Sequence, residues 1–283
     1  DIVYDGEPNG TERHSNMISA YHSTGNIASV HWSLLYHTIS TANTIIDRLP
    51  VSEVSEEQKT IAEAKARFFR GFAYRTLAYL YGGVPLLLTE VIEPKFDYVR
   101  ASKEEVLRQA LTDVEFAAAH LPSLSSVQDG EVSNAAAYHL LSELYLATAQ
   151  YQKAVDAATT VIDDPATGLM YTRFGSRANE LPGDVYWDLF RKNNQNRSSG
   201  NTEGIWVIQI ETDTPGGSGS LTAKDQTYTL ERHHAPMVRD VKAHGMNPFS
   251  WPIGDYTGGR GIGWAISTRY FSDEIWKDDF YGD

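Results

Sequence analysis

The chain has 283 residues, with 24 Lys and Arg against 37 Asp and Glu for a formal charge of −13, and it contains no Cys. That length allows one large domain or two ordinary ones, and 41% hydrophobic with 22% charged residues is the composition of a folded chain rather than of a disordered tail or a coiled coil. The acidic balance argues against a nucleic-acid partner, whose phosphates call for Lys and Arg, and the lack of Cys excludes disulfides, thiolate zinc sites and Cys nucleophiles.

The chain opens at Asp1 with neither a basic segment nor an apolar core, so any targeting peptide is expected to precede this numbering. After a polar lead-in, Ile27 to Leu49 reads as a helix with Ile39, Ala42, Ile46 and Leu49 inward and Pro50 as its stop. Ser55 with Gln58, and Ser102 with Glu105, have the capping-box spacing, in which two side chains satisfy each other's orphan backbone N–H groups. The first box predicts a helix from Glu56 to Tyr81, with Ile61, Ala64, Phe68, Phe72 and Leu80 along one face and Gly82-Gly83 and Pro85 ending it. The second predicts Lys103 to His120, with Val106, Ala110, Val114 and Ala117 inward, Lys103, Glu104, Arg108 and Asp113 outward, and Pro122 as the stop.

Ala135 to Pro165 has the spacing of a tetratricopeptide helix pair, which needs small residues at the crossing and aromatics between repeats. Leu141, Ser142 and Tyr145 occupy its first helix, Ala149 and Tyr151 flank the turn, and Ala154, Ala158 and Val161 line the second helix. The fold class expected is therefore mainly α, antiparallel helix pairs followed by an irregular region with short strands.

Composition changes near Pro165: of 22 Gly, 7 precede it and 15 follow, and five of the 6 Trp follow as well. The expected organisation is a helical scaffold over 1–165 and an irregular, aromatic and Gly-rich region over 166–283, both parts of one domain. Within the second part, Glu203 to Glu211 reads as a short buried strand and Thr214 to Ser220 as a loop.

No catalytic signature emerges. HExxH, GxSxG and GxxxxGK[ST] are absent, and the glycines of Gly258 to Gly263 lack dinucleotide spacing. His233-His234 and His31 with His37 do not have chelating spacing, and Asp278-Asp279 with Asp283 lacks the interleaving of a calcium loop. No metal and no cofactor is expected. What the composition offers is 6 Trp, 16 Tyr and 10 Phe. Aromatic faces beside Asn, Asp, Arg and Gln suit sugars, whose C–H faces are apolar and whose hydroxyls need directional partners, while for any single Trp the competing and preferred reading is a core residue of a loop-rich region.

Taken in order, several blocks resemble the SusD/RagB family of Bacteroidetes outer-membrane lipoproteins. They are Trp32, Tyr36, Ile39, Ala42-Asn43 and Ile45-Ile46; Ala62 to Tyr74; Leu80-Tyr81-Gly82-Gly83-Val84-Pro85-Leu86; Arg100 and Ser102 through Leu121-Pro122; Ala135 to Ile162; Asn201 to Trp206; and Gly261 to Trp276. The ordered set is specific and runs from about Trp32 to Trp276. On physical grounds Asn43 and Arg70 are expected at least partly buried, capping or bridging backbone groups between helix pairs. The resemblance implies a tetratricopeptide-like platform. It implies a surface-exposed lipoprotein of the outer membrane that binds oligosaccharide without breaking bonds and passes it to a SusC-like TonB-dependent transporter. The family's lipid-bearing N-terminal Cys is absent and family chains are longer, so the sequence is expected to be the N-terminal and middle portion of a longer protein.

Candidate glycan contacts rest on position and chemistry: Asp5, Asn9, Arg13 and Tyr21 in the polar lead-in, and Trp251 and Tyr256 in the aromatic loop. Other classes compete. Some relatives handle peptides, a tetratricopeptide groove would bind protein segments, and a glycoside hydrolase would need two carboxylates about 5–10 Å apart.

Overall fold

Both capping boxes read from the sequence are formed. In the computed structural model, which describes residues 3–5, 26–181, 183–210, 241–246, 248 and 265–275, the Ser55 side chain accepts from the Gln58 backbone N–H while Gln58 reaches back to Ser55, and Ser102 and Glu105 do the same. Five helices follow in order: α1 (Asn26–Arg48), α2 (Glu56–Tyr81), α3 (Lys103–His120), α4 (Asn134–Ala147) and α5 (Tyr151–Ile162). α2 and α3 have the bounds their caps and stops dictate. Gly82 takes φ +72° after α2, a conformation costly for a residue with a Cβ, and Leu121-Pro122 turns the chain extended after α3.

Helix α2 packs on α3, α3 on α4, and α4 on α5. Their common core holds Ala64, Phe68, Tyr74, Leu77, Val106, Ala110, Val114, Ala117, Leu140 and Leu144, all buried. A Cβ on Gly71 would lie 2.5 Å from Val114 Cγ2 and 3.0 Å from the Ala110 carbonyl oxygen, so glycine lets α2 and α3 approach this closely. α1 reaches the same core through buried Ile39 and through Trp32, whose ring meets Tyr81 edge-on at 5.1 Å and Tyr36 at 4.9 Å. α4 and α5 form the expected hairpin. Its turn places Ala149 at φ +57°, and Tyr145 O accepts from Gln150 N at 2.8 Å.

Four expectations change. Asp113 is not on the outer face of α3; it is wholly buried, because Arg70 of α2 pairs with it. Leu80 is 52% exposed, since Leu77, Ala78 and Tyr81 take the inward positions of the last turn of α2 and leave Leu80 off that face. On α5, Ala157 rather than Ala158 is fully buried. Residues 203–210 form no strand: Ile208 is 67% exposed, and Gln209 exchanges side-chain amide bonds with Asn196 at 2.8 and 3.3 Å in place of a ladder.

The chain divides into two compact units, His31–Gln209 and Asp1–Val30 with Ile210–Asp283. Beyond α5, the first unit contains the short helix α6 (Val185–Leu189) and a 3-10 turn, Arg197–Ser199, in otherwise irregular chain. The described part of the second contains strands β1 (Val3–Asp5) and β2 (Ala265–Ser267), antiparallel with Tyr4 opposite Ile266, and a helical turn, Tyr270–Glu274. Among the described residues no helix is long and apolar enough to cross a membrane.

Candidate functional site

Between α2 and α3 the chain is neither helix nor strand, and the side chains beneath it satisfy backbone groups that a helix would have satisfied internally. Tyr36 Oη donates to Pro85 O at 2.7 Å, and Tyr74 Oη both donates to Leu87 O (2.8 Å) and accepts from Leu87 N (2.6 Å). Asn43 Nδ2 donates to Leu87 O and Thr89 O at 2.8 and 3.1 Å, and Arg70 Nη1 donates to Leu88 O at 3.1 Å and to Asn43 Oδ1 at 2.7 Å. Arg70 is held in turn by a bidentate pair with Asp113, at 2.8 and 2.7 Å. Burial pushes the Tyr74 hydroxyl pKa up to about 12 and that of Tyr36 upward as well, so both remain neutral donors. Asn43 and Arg70 thus bridge backbone to helix, as expected of buried polar side chains, with Asp113 as the unexpected third member.

A second polar assembly fixes the irregular chain after α5. Asp188, buried at the end of α6, accepts from Arg173 Nε (2.5 Å) and Nη2 (3.0 Å) and from Phe174 N (3.1 Å). The hydrogen bond from Arg173 holds its pKa below the usual carboxylate value. Asn194, also buried, donates to Phe174 O and Asp188 O, and Asn201 donates to Asn194 O and accepts from Glu203 N. The guanidinium carbons of Arg191 and Arg173 stand 4.2 and 5.6 Å from the centroid of Trp187.

A cleft of about 690 Å³ is lined by Leu124, Val127, Gln128, Asp129, Asn196, Arg197 and Trp206 among others. Its size suits a small polar ligand. Its groups, however, are largely committed within the protein. Trp206 meets Phe68, Phe69 and Phe72 at steep angles, 5.6–6.3 Å between centroids, and its Nε1 donates to Gly130 O at 3.2 Å. Asp129 accepts from Ser198 N, and Glu131 pairs with Lys65 at 2.9 Å. Among the described residues the carboxylates with displaced pKa values, Glu90, Glu105, Glu131 and Asp188, are all held low by hydrogen-bond donors. That keeps them as anions, the opposite of what a general acid for glycoside hydrolysis requires. Among the described residues no group of three His, Asp or Glu is arranged to hold a metal ion.

Of the residues expected to contact glycan, Asp5 is the last residue of β1, and Asn9, Arg13, Tyr21, Trp251 and Tyr256 lie outside the described residues. So do Trp264, Trp276, His233-His234 and the glycines of Gly258 to Gly263. Asp113 escaped the sequence reading although its signal was present: it lies three residues after Ala110 and four before Ala117, inside the apolar stripe, where a carboxylate demands a partner. The cleft residues Gln128, Asn196 and Arg197 carry no such signal.

Comparison with known proteins adds the following. A SusD-like family model, described as starch-binding associating with outer membrane, matches residues 8–146. The curated SusD-like protein P2 of Formosa agariphila is 29% identical over 142 residues, 50% of this chain and 28% of that protein. A solved SusD-like protein from Bacteroides fragilis superposes with a TM-score of 0.56 at 23% identity, over 66% of this chain and 34% of its own. A SusD-like carbohydrate binding protein from Bacteroides vulgatus gives 0.54 at 22% identity, over 62% and 40%. The likeness to these two structures is one of fold, and this chain spans well under half the length of each of these relatives.

Proposed function

We propose, because this chain belongs to the SusD-like family, that it serves the non-catalytic capture of oligosaccharide at the bacterial surface. In this reading a lipid anchor outside the present sequence holds the protein at the outer membrane, and the sugar passes to a SusC-like TonB-dependent transporter. The observation that carries the reading is the family match over residues 8–146. The fold shared with the carbohydrate binding protein of Bacteroides vulgatus supports it, as do carboxylates held as anions rather than poised as acids.

The helical unit acts here as a rigid platform. Its buried polar side chains, Asn43, Arg70 and Asp113, are spent on backbone and on one another, so ligand contacts are assigned to the polar lead-in (Asp5, Asn9, Arg13, Tyr21) and the aromatic loop (Trp251, Tyr256), where stacking faces and hydrogen-bonding groups occur together in the sequence. Affinity electrophoresis of the full-length mature protein through gels of different polysaccharides tests the reading. Retardation by at least one glycan without release of reducing sugar is expected, with retardation lost in Trp251→Ala. Release of sugar would make the protein a hydrolase, and retardation unchanged in the variant would move the site elsewhere.

A further inference from the structure

A helix face turned to water is ordinarily polar, and α3 follows that rule: Glu104, Arg108, Thr112 and Glu115 line its exposed side. α5 does not. Its buried side, Ala154, Ala157 and Val161, is spent on the core, yet Tyr151, Val155 and Ile162 stand 65, 56 and 74% exposed. With the half-buried Ala158 they fall at i, i+4, i+7 and i+11, one stripe along the length of the helix. Single exposed apolar side chains are common, but a stripe with that spacing is the seam that one helix presents to another. Ala158 fits the same reading, because tetratricopeptide packing needs a small residue where two helices cross, and here that residue lies in the open stripe.

The helices stack in chain order, α2 on α3, α3 on α4 and α4 on α5. Among the described residues α3 and α4 each have a closely packed helix on either side, and α5 has α4 alone. In stacked helix pairs each layer covers the apolar face of the one before it, and a terminal layer needs a polar outer face to stay soluble. α5 lacks that face, so it has the surface of an inner layer. The described chain after it holds no helix long enough to cover the stripe: residues 163–209 contain only α6 and the Arg197–Ser199 turn, and the described part of the second unit only β1, β2 and the turn Tyr270–Glu274.

We propose that the stripe of Tyr151, Val155, Ala158 and Ile162 seats a further amphipathic helix, supplied by the part of the full-length protein that follows Asp283. Relatives of this chain have the length for it, each being more than twice as long as the stretch it shares with this chain. The inference is separate from glycan capture, since it concerns what completes the platform, and its test needs no sugar. With the photocrosslinker p-benzoylphenylalanine in place of Tyr151, irradiation of the full-length protein should join position 151 to a peptide from beyond residue 283, identified by mass spectrometry, at a yield independent of protein concentration. Crosslinks confined to residues 1–283, or none at all, would overturn the proposal. A crosslink between two copies that grows with concentration would overturn it as well, assigning the stripe to a dimer. Ile162→Cys places a thiol in a stretch that has no Cys. That thiol should react with a water-soluble maleimide at least about tenfold more slowly in the folded full-length protein than in guanidinium, with the helical circular dichroism unchanged. Equal rates in the folded and denatured protein would leave the stripe in water and contradict the assignment.

Discussion

The helices from α2 to α5 and the irregular chain from Arg173 to Gln209 lie in one compact unit but are held together in different ways. In the helices the backbone satisfies itself, so side chains are free to be apolar at periodic positions, and stability comes from burial and close approach at Gly71 and the alanines. In the irregular chain, buried Asp188, Asn194 and Asn201 and the half-buried Arg173 make the bonds that a ladder or helix would have made. Regularity therefore rests on pattern, and irregularity on a few named polar groups. The strap between α2 and α3 is the intermediate case, an irregular chain held from outside by Asn43, Tyr74 and Arg70, with Asp113 holding Arg70 in turn.

The comparison breaks most severely at Asp113. Asp113→Ala leaves Arg70 charged and buried, and it should cost about 3–5 kcal/mol in denaturant unfolding. Arg70 and Asp113 replaced together by Met and Leu should cost much less, and equal losses in the single and double variants would show that packing rather than charge is at stake.

Asp188→Asn should cost less, about 1.5–3 kcal/mol, because Arg173 is partly solvated and keeps its carbonyl partners. Limited proteolysis should then cut between Arg173 and Asn201 before it cuts the helices. The pH dependence has a defined sign. The folded pKa of Asp188 lies below the unfolded value, so its contribution is full above about pH 4 and fades as pH falls through the depressed value. The Asn variant should therefore lose less stability than the wild type on acidification below about pH 4.

Ser102→Ala removes one half of a capping box on an exposed helix start and should cost about 1 kcal/mol. Ala149→Gly has the opposite sign, relieving a left-handed alanine and raising stability by about 0.5–1 kcal/mol in the same melts.

How much of this was legible follows from the same contrast. Ser55, Ser102 and the residues three places after them set the starts of α2 and α3, because a capping box is a local rule. The α4–α5 hairpin was legible for a similar reason, its turn and its small residues being close in sequence. Asp113 was misplaced because charge was weighed above position in the stripe. The strand expected at Glu203–Glu211 did not form over the described residues because β-forming side chains do not supply a partner strand, and here Asn196 takes that place with Gln209. The polar assembly of Arg173, Asp188 and Asn194 was not legible at all, since its contacts join residues up to 20 apart with no repeating interval.

The central claim is that the helical unit is platform and the ligand is held elsewhere. Hydrogen exchange of the full-length protein, with and without a glycan that retards it, tests this most directly. Protection on binding should appear around Asp5 to Tyr21 and Trp251 to Tyr256 and be absent from α3 to α5. Protection concentrated in α3 to α5, or in the cleft around Trp206, would contradict the account.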